Sequence, residues 1–411
     1  MKRLLKISLD LALLSFIPII SWFLLSIIID KNLINIFTLT YPVQFISYIL
    51  RSIFSTGANI SKEKDKNENA VMSGIFLGVI VSIFIFCFIL FNIDSYINFM
   101  SMDIKIYKIF TIYSVIEIFL QTILMFILDK LYYEEENVLA NKYSFIFNCI
   151  SLFVLVFISL ITKNQVLIIT VTLFFLSVFV GIIFFKAFKN HKFKFNLNLL
   201  NCIKYNSVEL SSDIFLLLVY LFGFSNTFEF GEKYVAALTF ATLITDTQWD
   251  TFNAITTVAQ IDISKGSFNY KEHRKNAYKL VAILLGSIFL LFITLCWFYK
   301  INYFLTILYL LFDVIVFLIS PLYDLKISYL QIEWSAVKTT INELISSIVR
   351  SAFSFVKSSF CTSIGMLLSS AYSFITINGL FYKYYKINND GFIEKRPSQG
   401  TNIWNFKSDF F

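Results

Sequence analysis

Two aspartates stand four residues apart in the stretch TLITDTQWDTFNAI, Asp246 and Asp250, in a chain that is otherwise largely apolar. On a helix this spacing stacks both carboxylates on one face, and Asn253 and Thr257 extend the same polar stripe. Carboxylates this close repel, and a proton or a cation between or beside them relieves the repulsion. The pair therefore has the chemistry of a proton or Na⁺ site; the plainer reading is a helix that lines a wet cavity. A charge at the centre of a bilayer costs at least roughly 2.5 to 3.5 kcal/mol, so retained charges face protein or water and are paired. Arg51 is the expected partner, bonding Asp250 or Asp246 from a second helix; alternatively it snorkels toward headgroups.

The elements that position these groups are membrane helices. The chain is 57% hydrophobic and 15% charged, with a mean hydropathy of +0.73, well beyond the apolar share of a soluble domain. Runs such as NAVMSGIFLGVIVSIFIFCFILF and VLIITVTLFFLSVFVGIIFF are long enough to cross a hydrocarbon core of about 30 Å at about 1.5 Å per residue. They do not alternate apolar with polar residues, as barrel strands would. Spans are predicted near 7–29, 33–57, 70–91, 106–128, 143–161, 166–185, 207–225, 234–261, 276–298, 303–329, 339–360 and 362–382. The start MKRLLKISLDLALLSF imitates a signal peptide, but no small-residue cleavage pattern follows, so it reads as a retained first span.

With the N-terminus inside, the inner connections collect 23 Lys and Arg against seven outside, which places both termini in the cytoplasm. The net charge of +7 thus reads as a topology signal with an affinity for anionic lipid, and not as a nucleic-acid footprint. The five cysteines have no paired spacing and read as buried thiols. His191 and His273 fall in inner loops, leaving no buried imidazole for proton relay or zinc.

The two halves of the chain are similar to each other. FTLTYPVQFISYILRSIFSTGANISKEKDKNENAVMSGIFLG aligns with LTFATLITDTQWDTFNAITTVAQIDISKGSFNYKEHRKNAYKLVAILLG after an insertion in the charged loop, so that Asn69-Ala70 meets Asn276-Ala277. Arg51 then falls within two residues of Asp250. Six spans per half make the copies parallel repeats about an axis along the membrane normal, with a cavity expected between two lobes that rock against each other. The expected units are an N-lobe, 1–190, with helices 1 to 6; a cytoplasmic connection, 191–206; a C-lobe, 207–385, with helices 7 to 12; and a mobile cytoplasmic tail, 386–411. Within them, Glu117 and Gln121 would satisfy each other or another helix, Arg350 and Glu343 would stabilise an amphipathic face, and Gly74 and Gly78 form a small-xxx-small packing pair.

YPVQFISYILRSIFSTGANISKEKDKNENAVMSGIFLG and GEKYVAALTFATLITDTQWDTFNAITTVAQIDISKGSFNYKEHRKNAYK resemble the second and eighth spans of multidrug and toxic compound extrusion (MATE) transporters with their following loops, Gly57, Gly266, Ala70 and Ala277 taking the family's small-residue places. The resemblance covers roughly residues 10–385 by span order and spacing. It implies an all-α protein of about 12 transmembrane helices in two six-helix lobes around a V-shaped central cavity. It also implies a monomeric antiporter of the plasma or bacterial inner membrane that exports cationic organic or drug-like compounds in exchange for Na⁺ or H⁺. The family's C-lobe acids correspond approximately to Asp213 and Asp324, an alternative Na⁺ site to Asp246 and Asp250, with Glu209 and Asp313 nearby. The first-helix acid of some members has no clean match; Asp30 is the candidate, and its ordinary reading is an interfacial charge.

No histidine-based triad, metal-ligand cluster or phosphate-cradling loop points to an enzyme, and no cofactor is expected. A lipid-linked glycan flippase of the same superfamily would need a basic cavity, whereas these candidates are mostly acidic. A receptor or scaffold without transport would have no solvent path between lobes.

Overall fold

The computed structural model describes residues 2–134, 136–189, 195–252, 254–264, 266–299, 302–333 and 336–396. Six long helical segments make the first half: α1 (Lys2–Ile28), α2 (Asn35–Arg51) continued through a π-helical turn (Ser52–Thr56) into α3 (Gly57–Asp65), α4 (Ala70–Phe91), and, after the short α5 (Ile93–Phe99), α6 (Ile104–Tyr133), α7 (Asn137–Ile161) and α8 (Gln165–Phe188). A short helix α9 (Leu199–Tyr205) leads into the second half: α10 (Ser207–Phe228), α11 (Glu232–Phe252), α12 (Ala254–Ser264), α13 (Tyr270–Phe298), α14 (Tyr303–Glu333), α15 (Ala336–Ser354) and α16 (Cys361–Tyr384). Each long segment overlaps one expected span. Among the described residues nine helices are long and apolar enough to cross a membrane; α1, α11 with α12, and the amphipathic α15 complete the order. The protein is a multi-pass membrane protein.

The packing repeats itself. α2 lies on α6 as α11 lies on α14; α6 on α8 as α14 on α16; α7 on α8 as α15 on α16; α1 on α7 as α10 on α15. Between the halves, α1 packs on α11 and α10 packs on α2, a reciprocal exchange that a two-fold relation requires. The Thr38 and Thr239 hydroxyls meet at 2.5 Å. These residues occupy the same place in the two repeats, so this hydrogen bond marks where the axis passes.

The second helix of the first repeat is interrupted by the π-helical turn after Arg51. Pro42 lies ten residues ahead of Ser52, where that turn begins, and removes a helical donor within α2. α13 starts seven residues ahead of the Asn276-Ala277 match, capped by Asn269, so the repeats differ most in the loop where the alignment needs its insertion.

Gly74 is packed so closely that an added Cβ would lie 2.3 Å from the Phe54 carbonyl oxygen and 2.7 Å from the Ala58 Cβ. At Gly78 it would meet Phe54 and the Phe126 ring at 2.8 and 2.9 Å. The expected small-residue pair is therefore the seam of α4 against α2, α3 and α6. Gly74→Val is expected to destabilise the protein by about 1 to 3 kcal/mol, the usual range for overpacking, read as a fall in melting temperature in detergent.

The chain does not trail away at residue 386. β1 (Tyr385–Ile387) and β2 (Ile393–Lys395) form an antiparallel hairpin with Lys386 opposite Glu394. Its turn sits on the start of α13, where the Tyr270 amide donates to the Gly391 carbonyl at 2.9 Å and Asn269 Nδ2 to the Asp390 carbonyl at 2.8 Å. The expected tail is thereby shortened: its first eleven residues, Lys386 to Arg396, are ordered against the C-lobe, and residues 397–411 lie outside the described residues. Near this hairpin Lys326, buried in α14, donates to Asn378 Oδ1 and to the Tyr382 hydroxyl and faces the Tyr382 ring at 4.3 Å. An aromatic and amide cage thus stabilises the ammonium.

Candidate functional site

Asp246 stands where the lobes meet. It lines a cavity of about 550 Å³ on the C-lobe side with Tyr41, Tyr220, Trp249, Asp313 and Arg350. It also lines a second cavity of about 350 Å³ on the N-lobe side with Ser47, Arg51, Gln121 and Asn148. Gln44 and Tyr48 of α2 are the other residues common to both walls. The space expected between the lobes is thus present on either side of one carboxylate. The Tyr41 hydroxyl donates to Asp246 Oδ1 at 2.6 Å, a charge-assisted bond across the lobe boundary when the carboxylate is ionised. Tyr41 is in turn set by its ring contacts with Phe45 and Tyr220.

Asp213, in α10, accepts from Ser52 Oγ at 2.7 Å, and Asn206 Nδ2 donates to the Ser52 carbonyl at 2.9 Å. The π-helical turn of the first repeat is therefore held by the start of the C-lobe. With Thr38 to Thr239 and Tyr41 to Asp246, these bonds form a polar seam along α2.

Arg51 has a partner that the sequence reading did not name. Its Nε and Nη2 donate to the two carboxylate oxygens of Asp129 in α6, at 2.8 and 2.6 Å. This fork is an ion pair within the N-lobe, with the Asp129 side chain 9% exposed. Arg51 and Asp246 still share a cavity wall, while the Asp250 side chain lies outside the described residues. Asp129 was overlooked because it precedes Lys130 at a span end and reads there as a loop charge.

The remaining candidates separate. Asp313 lines the larger cavity. Asp324 lines a further C-lobe cavity of about 430 Å³ with Glu343, Ser346, Ser347 and Arg350. Asp30 is exposed and caps a 3₁₀ turn by accepting from the Asn32 amide at 2.8 Å. The Glu209 side chain and Asn253 lie outside the described residues, as does His191. Glu117 accepts from Ser151 in α7, the interhelical one of its two expected pairings. His273 is in α13 and not in a loop; its Nε2 lies 3.0 Å from Asp262 Oδ2, with the ring side chain 14% exposed. All five cysteines are free thiols. Among the described residues no cluster of three His, Cys, Asp or Glu could hold a metal ion.

Arg350 was expected to brace an amphipathic face. That face, Glu343, Ser346, Ser347 and Arg350 at helical spacing, is instead a cavity wall.

No protein-family model matches the chain, and no curated protein does. Solved structures do. An inward-facing MATE family transporter of the MOP superfamily aligns with a TM-score of 0.63 at 13% identity, over 92% of this chain and 98% of that one. The chain therefore has the MATE transporter fold. An outward-facing MATE structure matches at a TM-score of 0.59 and 14% identity, over 92% and 93% of the two chains. A MOP superfamily transporter from Pyrococcus furiosus, described as having a binding pocket of reverse polarity that suggests a different function, matches at 0.64 and 14%, over 92% and 95%. In the MATE fold two six-helix lobes face each other, which is the duplication read from the two halves of the sequence.

Proposed function

We propose that the protein is a secondary active antiporter of a cell membrane, both termini cytoplasmic, that exports small organic or drug-like compounds carrying a positive charge in exchange for Na⁺ or H⁺. The observation that carries this reading is Asp246, shared by the walls of both lobe cavities and held by Tyr41 of the opposite lobe. When Asp246 is ionised and bare it is a strong acceptor, and the Tyr41 bond ties the lobes at that point. A proton or Na⁺ on the carboxylate weakens it as an acceptor, and the tie loosens. Occupation of one residue by ion or substrate thereby biases a two-state rocking of the lobes, which is what exchange requires. Asp250, or the Asp213 and Asp324 pair, would supply a second carboxylate to the ion.

The aromatic walls, Tyr41, Tyr220 and Trp249, suit an organic cation through ring faces as well as charge. A pyrophosphate-linked glycan is the poorer fit, because Asp246 and Asp313 share the larger cavity with a single arginine. A receptor or scaffold gives no reason for polar cavities on both sides of a buried seam.

The test is efflux of a fluorescent organic cation from cells under imposed Na⁺ and proton gradients. Wild type is expected to respond to at least one gradient, and Asp246→Asn and Asp250→Asn to lose that response. Undiminished gradient-driven efflux in both variants would sink the coupling role.

A further inference from the structure

The charge that an exporter of simple cations does not need is Arg350. It projects from α15 into the 550 Å³ cavity and also lines the neighbouring 430 Å³ one. Its Nη2 donates to the Tyr220 hydroxyl at 2.7 Å, and its guanidinium lies 5.2 Å from the Tyr220 ring centre. Its Nε is buried without any acceptor, and among the described residues no carboxylate lies within ion-pair distance of the guanidinium. The backbone there is fixed by close packing: an added Cβ at Gly365 of α16 would stand 2.8 Å from the Arg350 carbonyl oxygen.

A partly buried guanidinium with no carboxylate in direct contact is costly, and a buried unused donor adds to that cost. Arginine's planar fork matches a carboxylate with two parallel hydrogen bonds, and Nε with one Nη is one such edge. The same cavity holds Asp313 and Asp246, which suit an ammonium, and stacked rings such as Phe45 on Tyr220 at 4.7 Å. Resting on the transporter reading, we propose that this cavity takes an aromatic zwitterion, with its carboxylate on the Nε edge of Arg350 and its ammonium toward Asp313 and Asp246. Arg350 is then a specificity residue that separates zwitterions from plain cations of equal shape.

The experiment uses the full chain in proteoliposomes with two labelled probes, the dipeptide Phe-Tyr and its C-terminal amide, which keeps the ammonium and removes the carboxylate. Binding and gradient-driven transport are measured for wild type, Arg350→Gln and Arg350→Lys. The dipeptide is expected to bind wild type about tenfold or more tightly than the amide, a difference of about 1.4 kcal/mol. Arg350→Gln should erase that preference, chiefly by weakening the dipeptide, and Arg350→Lys should restore part of it. Equal binding of the two probes to wild type, binding of neither, or a preference that survives Arg350→Gln overturns the proposal. Arg350-dependent binding with no transport under any gradient would uphold the zwitterion site and defeat the antiporter reading instead.

Discussion

Asp246→Asn is expected to abolish ion-coupled export while leaving a folded, cavity-bearing protein. The amide oxygen of asparagine can still accept the Tyr41 hydroxyl, which in the native protein donates to Asp246 at 2.6 Å, so the lobe contact persists in weakened form. What disappears is the titratable charge on the wall that both cavities share. Coupling between two ligands is a free energy of about 1 to 3 kcal/mol, or about 5 to 150-fold in affinity. A variant lacking the shared group should forfeit most of that. In proteoliposomes the dependence of substrate affinity on the coupling ion should flatten, while the melting temperature changes little. Tyr41→Phe provides the contrast: it keeps the carboxylate and removes the tie, so coupling should survive with an altered balance between the two lobe arrangements.

The largest stability effect is expected at the ion pair of Arg51 with Asp129. Both of its hydrogen bonds are short, and Asp129 is nearly enclosed. Arg51→Met strands that carboxylate. Breaking a buried pair from one side costs about 3 to 5 kcal/mol; because the Arg51 side chain is 39% exposed, about 2 to 3 kcal/mol is the fitting expectation after allowance for screening. Asp129→Leu alone should cost less, since the partially exposed guanidinium can turn to water. The double variant Arg51→Met with Asp129→Leu should recover most of the single loss, because no charge is left unpaired. Additive losses in thermal unfolding would show that the two residues stabilise the protein through other partners.

Periodic and topological features were legible from the residues alone. Twelve apolar stretches and the match of residues 37–78 with the second half depend on composition and order, which a single chain displays. The Thr38 to Thr239 contact, seen only in the folded structure, joins residues that the duplication aligns. Partnerships were less legible, because they depend on how helices turn against one another. Arg51 was matched to the acids at equal depth in the other lobe, yet a closer acid, Asp129, approaches from the same lobe. Tyr41 gave no signal, since a tyrosine in an apolar helix is ordinary until its hydroxyl is found on Asp246. Arg350 read as one member of an amphipathic face, and only the packing of α15 against α10 and α16 turns that face into a cavity wall. The hairpin after α16 was hidden for a similar reason: a polar segment with a glycine reads as a tail unless its docking surface is known.

The central claim is that the seam running through Thr38, Tyr41 and Asp246 parts as the lobes rock against each other. It is tested most directly by linking the lobes where the repeats touch. In a background with the five native cysteines replaced, Thr38→Cys and Thr239→Cys place two thiols where hydroxyls now lie 2.5 Å apart. Efflux from proteoliposomes is then measured oxidised and after reduction. The account predicts that the oxidised protein is inactive and that reduction restores export. Export at the unlinked rate, with the crosslink shown to be complete, would contradict it.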